Sequence, residues 1–273
     1  MRQFGEVAID LIVENLPVKG RFYMKYLMWI IASSVLVLVG CNEVENQVKQ
    51  SDGLRIEVED KENVEKLQEI DGGNQVKQET GILIKAVENN DVERIQEILQ
   101  DSSYPINETN DKKETPLLIA THENFVEVAK LLIEAGADIN QQDHIQDSAY
   151  LYAGTQGKTE ILAYMIEHAV PDQTIVNRYG GNALIPAAEK GHLNNVKLLL
   201  EDGKVDIDHQ NNFGYTALIE AVALRDGSEV YQQIVQVLLA YNANKELRDD
   251  SGRTALDYAK EKGYTNMIKM LEE

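Results

Sequence analysis

A single cysteine, Cys41, is the one side chain of this 273-residue sequence that can form a stable thioether. With no second cysteine, the chain can form no internal disulfide and no metal site built from several thiolates. Met24 and Lys25 precede an uncharged apolar stretch, residues 26–40, which ends directly at Cys41. That stretch is shorter than the roughly 20 apolar residues that span a bilayer. A basic residue followed by a short apolar stretch is typical of an export signal.

The residues around this cysteine, Leu38-Val39-Gly40-Cys41, resemble the lipobox of bacterial lipoprotein signal peptides. The resemblance implies that Cys41 carries diacylglycerol and that the signal, residues 24–40, is removed. We expect residues 1–23 to be an extension ahead of the true start at Met24. The expected location is the extracytoplasmic side of a bacterial cell membrane, in the periplasm or at the cell surface. The alternative is an uncleaved anchor helix.

Other patterns of reactive residues favour no catalytic chemistry. Residues 154–159 (GTQGKT) look like a phosphate-binding loop, but the required glycine five residues before the Gly-Lys pair is replaced by Tyr152. No His-Glu-x-x-His or Gly-x-Ser-x-Gly motif occurs. The paired carboxylates Asp249 and Asp250 fall in a predicted exposed turn, and His192 is expected to brace a turn. We therefore predict no enzymatic activity, no metal and no cofactor.

The charge of the chain restricts its partners. A formal net charge of −20 repels phosphate backbones, so nucleic acid is not an expected partner. Residues 42–78 are rich in Glu, Gln, Asn, Lys and Asp and contain no aromatic residue. Such a composition buries too little apolar surface to offset the entropy of ordering the backbone. We predict that residues 41–78 are an acylated cysteine followed by a flexible tether.

An internal repeat organises the rest of the sequence. Alanines recur at spacings of 34, 33, 34, 34 and 38 residues, at Ala86, Ala120, Ala153, Ala187, Ala221 and Ala259. A helix-capping residue stands five positions before five of them, at Thr115, Ser148, Asn182, Thr216 and Thr254. Asn or Gly follows several of these predicted helices, at Asn90, Asn124, Gly157, Gly191 and Gly263, as expected for a left-handed C-terminal turn. Apolar pairs then mark a second helix in each unit.

These residues resemble the ankyrin repeat, whose unit carries T-P-L-H-x-A and a later G-A-D-x-N. Residues 115–120 (TPLLIA) and 136–140 (GADIN) carry the resemblance most closely, and residues 185–192 (IPAAEKGH) look like a group of bacterial ankyrin proteins. The implied fold is all-α, a solenoid of about six stacked helix pairs with short hairpin tips, over residues 79–273. Ankyrin domains generally bind proteins on their concave face, so the resemblance implies a protein partner.

Two features of the repeat are candidates for that contact. Arg178, Tyr179, Phe213 and Tyr215 fall on neighbouring hairpin tips, where aromatic and arginine side chains either anchor a partner or pack on the next tip. Glu220 occupies a first-helix position where ankyrin units prefer an apolar residue and where four other units carry Ile119, Tyr152, Pro186 and Tyr258. It accepts hydrogen bonds from the backbone of the longer loop around residues 225–229, or it binds a ligand.

The expected function is that of a membrane-anchored scaffold that binds another protein on its concave face. One alternative is an envelope stress-protection factor that shields a partner enzyme. The other is a small-ligand binding protein or enzyme centred on Glu220, which a deep pocket at this carboxyl would favour.

Overall fold

The computed structural model describes residues 81–273, which form six helix pairs, here called units 1 to 6. The first helices are α1 (Ile82–Glu88), α3 (Pro116–Glu123), α5 (Ala149–Thr155), α7 (Leu184–Glu189), α9 (Ala217–Ala223) and α11 (Ala255–Lys262). The second helices are α2 (Val92–Leu99), α4 (Val126–Glu134), α6 (Thr159–His168), α8 (Leu193–Asp202), α10 (Glu229–Ala240) and α12 (Thr265–Glu272). No strand occurs among these residues. The all-α prediction is confirmed.

The predicted capping residues begin the first helices. The hydroxyls of Thr115, Ser148, Thr216 and Thr254 each accept the backbone N–H three residues later. The Asn182 side chain accepts the N–H groups of the second and third residues after it. Each cap thereby satisfies a donor that has no partner within its helix. The alternation of cap and apolar helix in the sequence is therefore sufficient to place these helices.

The predicted C-terminal turns are also confirmed. Asn90, Asn124, Gly157, Gly191 and Gly263 all adopt positive φ, between 52° and 78°. This left-handed conformation reverses the chain after the first helix, and glycine and asparagine adopt it at the lowest cost. Each reversal lays the second helix antiparallel to the first. One helix pair is thus set by a cap, a short apolar helix and a left-handed residue.

Stacking of the pairs produces one continuous core. Each first helix packs on the first helix of the next unit, and each second helix packs on the next second helix. The repeat alanines are buried in every first helix, from Ala86 at 5% exposure to Ala259 at 0%. Small residues at these positions let neighbouring helices approach closely. The units therefore share one core rather than separate ones, as a solenoid requires.

Unit 5 differs from the others in the segment between its helices. Residues 224–228, here called the unit 5 linker, join α9 to α10, whereas two or three residues make the equivalent connection in the other units. The extra residues lie where the sequence predicted them. The Tyr264 hydroxyl of unit 6 donates a hydrogen bond to the Arg225 carbonyl, and the linker residue Gly227 lies against the Tyr264 ring. The linker is therefore fixed to the next unit.

A candidate protein-binding surface on the tips

A polar residue organises the turn before each first helix from unit 2 onward. These turns, here called tips 2 to 6, span residues 110–114, 143–147, 177–181, 211–215 and 249–253. In each tip, the side-chain Oδ1 of the first residue accepts the N–H groups of the third and the fifth at 2.8–3.0 Å. The first residues are Asn110, Asp143, Asn177, Asn211 and Asp249. An Asn or Asp five positions before each cap is the sequence signal for them, which the sequence analysis missed.

The buried position of Asp249 corrects one prediction. This residue was expected on an exposed turn with Asp250, but only 6% of Asp249 is exposed, whereas Asp250 is exposed. The reason is that the Asp249 carboxylate accepts N–H groups inside its own tip and a hydrogen bond from the Tyr258 hydroxyl. Asp249 therefore builds the tip, and only its neighbour faces solvent.

In the row of tips, backbone hydrogen bonds join tip 2 to tip 3, tip 4 to tip 5 and tip 5 to tip 6. The Asn212 N–H donates to the Tyr179 carbonyl at 2.8 Å, and the Asp250 N–H donates to the Phe213 carbonyl at 3.2 Å. A third bond runs from the His144 N–H to the Lys112 carbonyl at 3.0 Å. Such bonds hold the backbone of the exposed turns before any partner arrives, so docking loses little conformational entropy.

The row carries three of the four predicted tip residues. Arg178 is exposed, and its guanidinium carbon lies 5.0 Å from the centroid of the half-buried Tyr179 ring, a cation–π arrangement. Phe213 occupies the position equivalent to Tyr179 on the next tip and is 40% exposed. These side chains bring an aromatic pair and one cation to the same edge of the solenoid.

Tyr215, the fourth residue, is half-buried. Its hydroxyl lies 3.2 Å from that of Tyr258, and the two rings meet edge to face with centroids 6.2 Å apart. Burial raises the pKa of the Tyr215 hydroxyl. Tyr215 therefore packs between units 5 and 6 and offers a partner only part of its ring.

Ile145 extends the exposed row to tip 3, and the sequence analysis missed it. It stands three residues before the helix cap Ser148, the position that Tyr179 and Phe213 occupy relative to their own caps. Its side chain is 49% exposed. The only sequence signal for Ile145 is its position relative to the helix cap, because an isoleucine in a turn belongs to no chemical motif. Ile145, Tyr179 and Phe213 are here called the apolar tip row.

Glu220 does not lie on the surface of this row. It is 5% exposed, and its Oε1 accepts a hydrogen bond from Asn211 Nδ2 at 3.0 Å. Its Oε2 is buried without a hydrogen-bond partner among the described residues. The prediction that the backbone of the longer loop serves this carboxyl is wrong. The donor is an asparagine side chain of tip 5, which reaches the carboxyl because both residues belong to one unit.

The ligand hypothesis required a deep pocket at Glu220. One open depression of about 430 Å³ lies between α4 and α6, where Lys130 and Glu160 are among its lining residues. A second, of about 240 Å³, lies beside Gly157 and His192. Glu220 lines neither of them. His192 lies against Gly157 in the turn before α6, in agreement with the predicted bracing role.

Several predictions fall outside the described residues. They concern the extension at residues 1–23, the signal at residues 24–40, the lipid on Cys41 and the tether at residues 41–78. None of the helices between residues 81 and 273 has the length and apolar character of a membrane span. The same residues contain no cluster of His, Cys, Asp or Glu that could hold a metal ion.

Comparison with known proteins places the fold in a family. A sequence profile for ankyrin repeats, three copies, matches residues 55–143, 144–211 and 203–273, and its first match begins upstream of the predicted domain boundary at 79. The ankyrin repeat protein YahD of Escherichia coli K12 is 37% identical over 166 residues, which cover 61% of this chain and 82% of YahD.

Two crystal structures of ankyrin repeat proteins are also similar. EF0377 is 59% identical with a TM-score of 0.70, covering 71% of this chain and 98% of that one. A domain from Acinetobacter baumannii AYE is 45% identical with a TM-score of 0.68, covering 70% and 96%. The chain belongs to the ankyrin repeat family.

Proposed function

We propose that this protein is a lipid-anchored scaffold that binds another protein across the apolar tip row and the adjacent concave face. Ankyrin repeats are a protein-interaction scaffold, because their stacked units present an extended and already ordered surface. The observation that carries the proposal is the placement of Tyr179 and Phe213 at equivalent positions on tips that are bonded to each other. Large aromatic side chains on a rigid support are typical anchors of protein interfaces.

The charges around the row define the rim of the proposed interface. Arg178 lies beside Tyr179 and is positioned to pair with a carboxylate of the partner. The remainder of the chain is strongly acidic, which favours a partner with a basic or neutral surface outside that contact. Glu220 contributes to this surface through Asn211, which holds tip 5, rather than by touching the partner.

The partner site is tested with paired alanine variants in affinity purification from solubilised membranes. Tyr179→Ala with Phe213→Ala is expected to reduce recovery of the partner by about tenfold or more, since two anchors are lost. Tyr241→Ala is the matched control, because Tyr241 is 43% exposed at the end of α10, away from the tips. Equal recovery by the double variant and the wild type would contradict the assignment of the site.

A photoreactive residue in place of Phe213 then maps the contact directly. We expect crosslinks from this position and none from the same residue in place of Tyr241. The reverse pattern would move the interface to the outer helices.

The membrane part of the proposal rests on Cys41 and on the lipobox resemblance of residues 38–41. Two or three acyl chains on one cysteine hold a protein at a bilayer, because each buried methylene contributes about 0.8 kcal/mol. We expect the mature protein of a bacterial host to begin at Cys41 with an added lipid mass. Cys41→Ser should retain the signal and carry no lipid. Intact-mass measurement distinguishes the lipidated protein from the uncleaved anchor helix. A mature protein that still contains residues 26–40 with an unmodified cysteine would support the anchor helix.

A further inference from the structure

A partly buried charge cluster surrounds Glu220 where units 4 and 5 meet. Glu220 on α9 stands in a column where units 2, 3, 4 and 6 carry Ile119, Tyr152, Pro186 and Tyr258, and where unit 1 carries Lys85. Arg225 belongs to the unit 5 linker, and Glu189 lies at the end of α7 in unit 4. The cluster therefore contains two carboxyl groups and one guanidinium.

The hydrogen bonds of this cluster leave two complementary atoms unused. Arg225 Nη2 forms an ion pair with Glu189 Oε1. Arg225 Nε is a buried donor without an acceptor, and Glu220 Oε2 is a buried acceptor without a donor, among residues 81–273. A buried polar atom without a hydrogen-bond partner is unfavourable, and more so when it is charged. A hydrogen bond from Arg225 Nε to Glu220 Oε2 would satisfy both atoms, and it is not formed in this arrangement.

Arg225 also fixes the linker to both neighbouring units. Its guanidinium reaches Glu189 in unit 4, and its carbonyl accepts the Tyr264 hydroxyl from unit 6. Gly227 has a φ of 72° and lies against the Tyr264 ring. The side chain and the backbone of Arg225 thus connect one linker residue to both neighbouring units.

The groups that face Glu220 come from every element around it. Glu189 acts on it from α7, Arg225 from the linker, and Asn211 and Tyr215 from tip 5. Tyr258 on α11 bonds to Tyr215 and carries no charge. The remaining neighbour, α10, has an apolar buried face of Ile234, Val235 and Leu238. Arg225 is thus the cation that acts on Glu220, Glu189 is the competing anion, and Lys190 next to Glu189 is a second cation near that ion pair.

We propose that Glu220 is a proton-operated latch on the unit 5 linker. With its proton in place, the carboxyl is neutral, stays buried on Asn211, and leaves Arg225 paired with Glu189. When the proton leaves to solvent, Oε2 becomes a buried anion beside Glu189. Arg225 then turns from Glu189 to Glu220, and the linker loosens its contacts with Tyr264.

Electrostatics place this change just above neutral pH. Burial, reinforced by the Glu189 charge, raises the pKa of Glu220 to about 8, while the Asn211 hydrogen bond and the Arg225 charge oppose the shift. A carboxyl with this pKa is protonated in mildly acidic surroundings and ionised in alkaline ones. The latch is accordingly closed at low pH and released at high pH.

Hydrogen exchange of the full-length chain tests the latch. Exchange is followed by mass spectrometry between about pH 6 and pH 9 and is corrected for the intrinsic pH dependence of amide exchange. In the wild type we expect peptides covering residues 217–229 to lose protection by about fivefold or more above the midpoint. Glu220→Gln should abolish this change, because the amide cannot ionise. Glu229→Gln, at an exposed neighbouring position, is the matched control and should keep it.

Glu189→Gln provides a second variant that leaves Glu220 intact. It removes the competing anion and frees Arg225, so the midpoint should move to lower pH. An unchanged midpoint would show that Arg225 is not shared between the two carboxyls. A wild-type profile as flat as that of Glu220→Gln would overturn the latch itself.

Discussion

Asn211 Nδ2 donates a hydrogen bond to Glu220 Oε1 at 3.0 Å, and in the next unit the same two positions hold Asp249 and Tyr258 with the direction reversed. There the tyrosine hydroxyl is the donor and the carboxylate is the acceptor. Asparagine still has two N–H donors after its Oδ1 has accepted the tip, whereas aspartate has only an acceptor oxygen left. In units 5 and 6 the tip residue thus matches the hydrogen-bonding character of the helix position, and this pairing accounts for Glu220 without a ligand.

The hydrogen bond between Asn211 and Glu220 predicts how substitutions at these two positions change the stability of the protein. Asn211→Asp retains the tip acceptor but replaces the N–H donor with a carboxylate beside Glu220, which should lower the free energy of unfolding by about 2–4 kcal/mol at alkaline pH, where both carboxyls would have to ionise. Adding Glu220→Tyr recreates the unit 6 pair and should restore the stability to within about 1 kcal/mol of the wild type. Urea unfolding of the full-length chain measures the double-mutant cycle.

Asn212→Asp is the control for this exchange, because Asn212 is the exposed neighbour of Asn211. We expect it to change the unfolding free energy by less than about 0.5 kcal/mol. Additive effects of the two substitutions at positions 211 and 220 would show that these side chains do not act as a pair.

The buried carboxyl also predicts the pH dependence of stability. The pKa of Glu220 is raised in the folded protein to about 8, above its ordinary value of 4.5, so the folded state holds a proton that the unfolded state releases. This contribution is complete below about pH 4.5 and is lost as the pH rises to about 8, by on the order of 2–4 kcal/mol. Glu220→Gln should therefore flatten this part of the stability profile and be the more stable protein at pH 8. Thermal unfolding across that range checks the prediction, and parallel profiles would contradict it.

Alanine substitutions at two tip glycines distinguish the cost of backbone strain from the cost of a steric clash. Gly214 and Gly252 occupy equivalent positions with φ of 73° and 79°. A Cβ on Gly214 would lie 2.7 Å from the Asp250 backbone nitrogen, whereas one on Gly252 would meet nothing within 4 Å. Gly252→Ala should cost about 1 kcal/mol from the left-handed backbone alone. Gly214→Ala should cost about 1–3 kcal/mol more, because the next tip must move. Equal melting temperatures of the two variants would contradict the tight approach of tips 5 and 6.

Local chemistry explains which parts of the fold could be predicted from the sequence. The caps and the left-handed residues act within four or five positions of the chain, so their residue types are sufficient to place the helices. Thr216 and Gly263 are examples in which the predicted role and the observed geometry agree.

The candidate site depended on contacts that no local pattern contains. Glu220 was recognised as anomalous, but its donor lies nine positions away, and the side chains meet only after the tip has folded onto its helix. Tyr215 and Phe213 are two residues apart and have the same aromatic character. One packs against Tyr258 while the other is exposed, because alternate tip positions face the next unit and the solvent.

Ile145 provides the last test, since it joins the proposed interface through position alone. If the apolar tip row binds the partner, Ile145→Asp should weaken binding by about tenfold, because a charge would be desolvated against an apolar contact. The melting temperature should change little, since this side chain is 49% exposed. Val170→Asp is the matched control, because Val170 is 80% exposed outside the tips. Calorimetric titration with the purified partner compares the two variants. If both variants bind with the wild-type affinity, the interface is confined to tips 4 and 5. If only Val170→Asp weakens binding, the interface lies on the edge that carries the loops after the second helices.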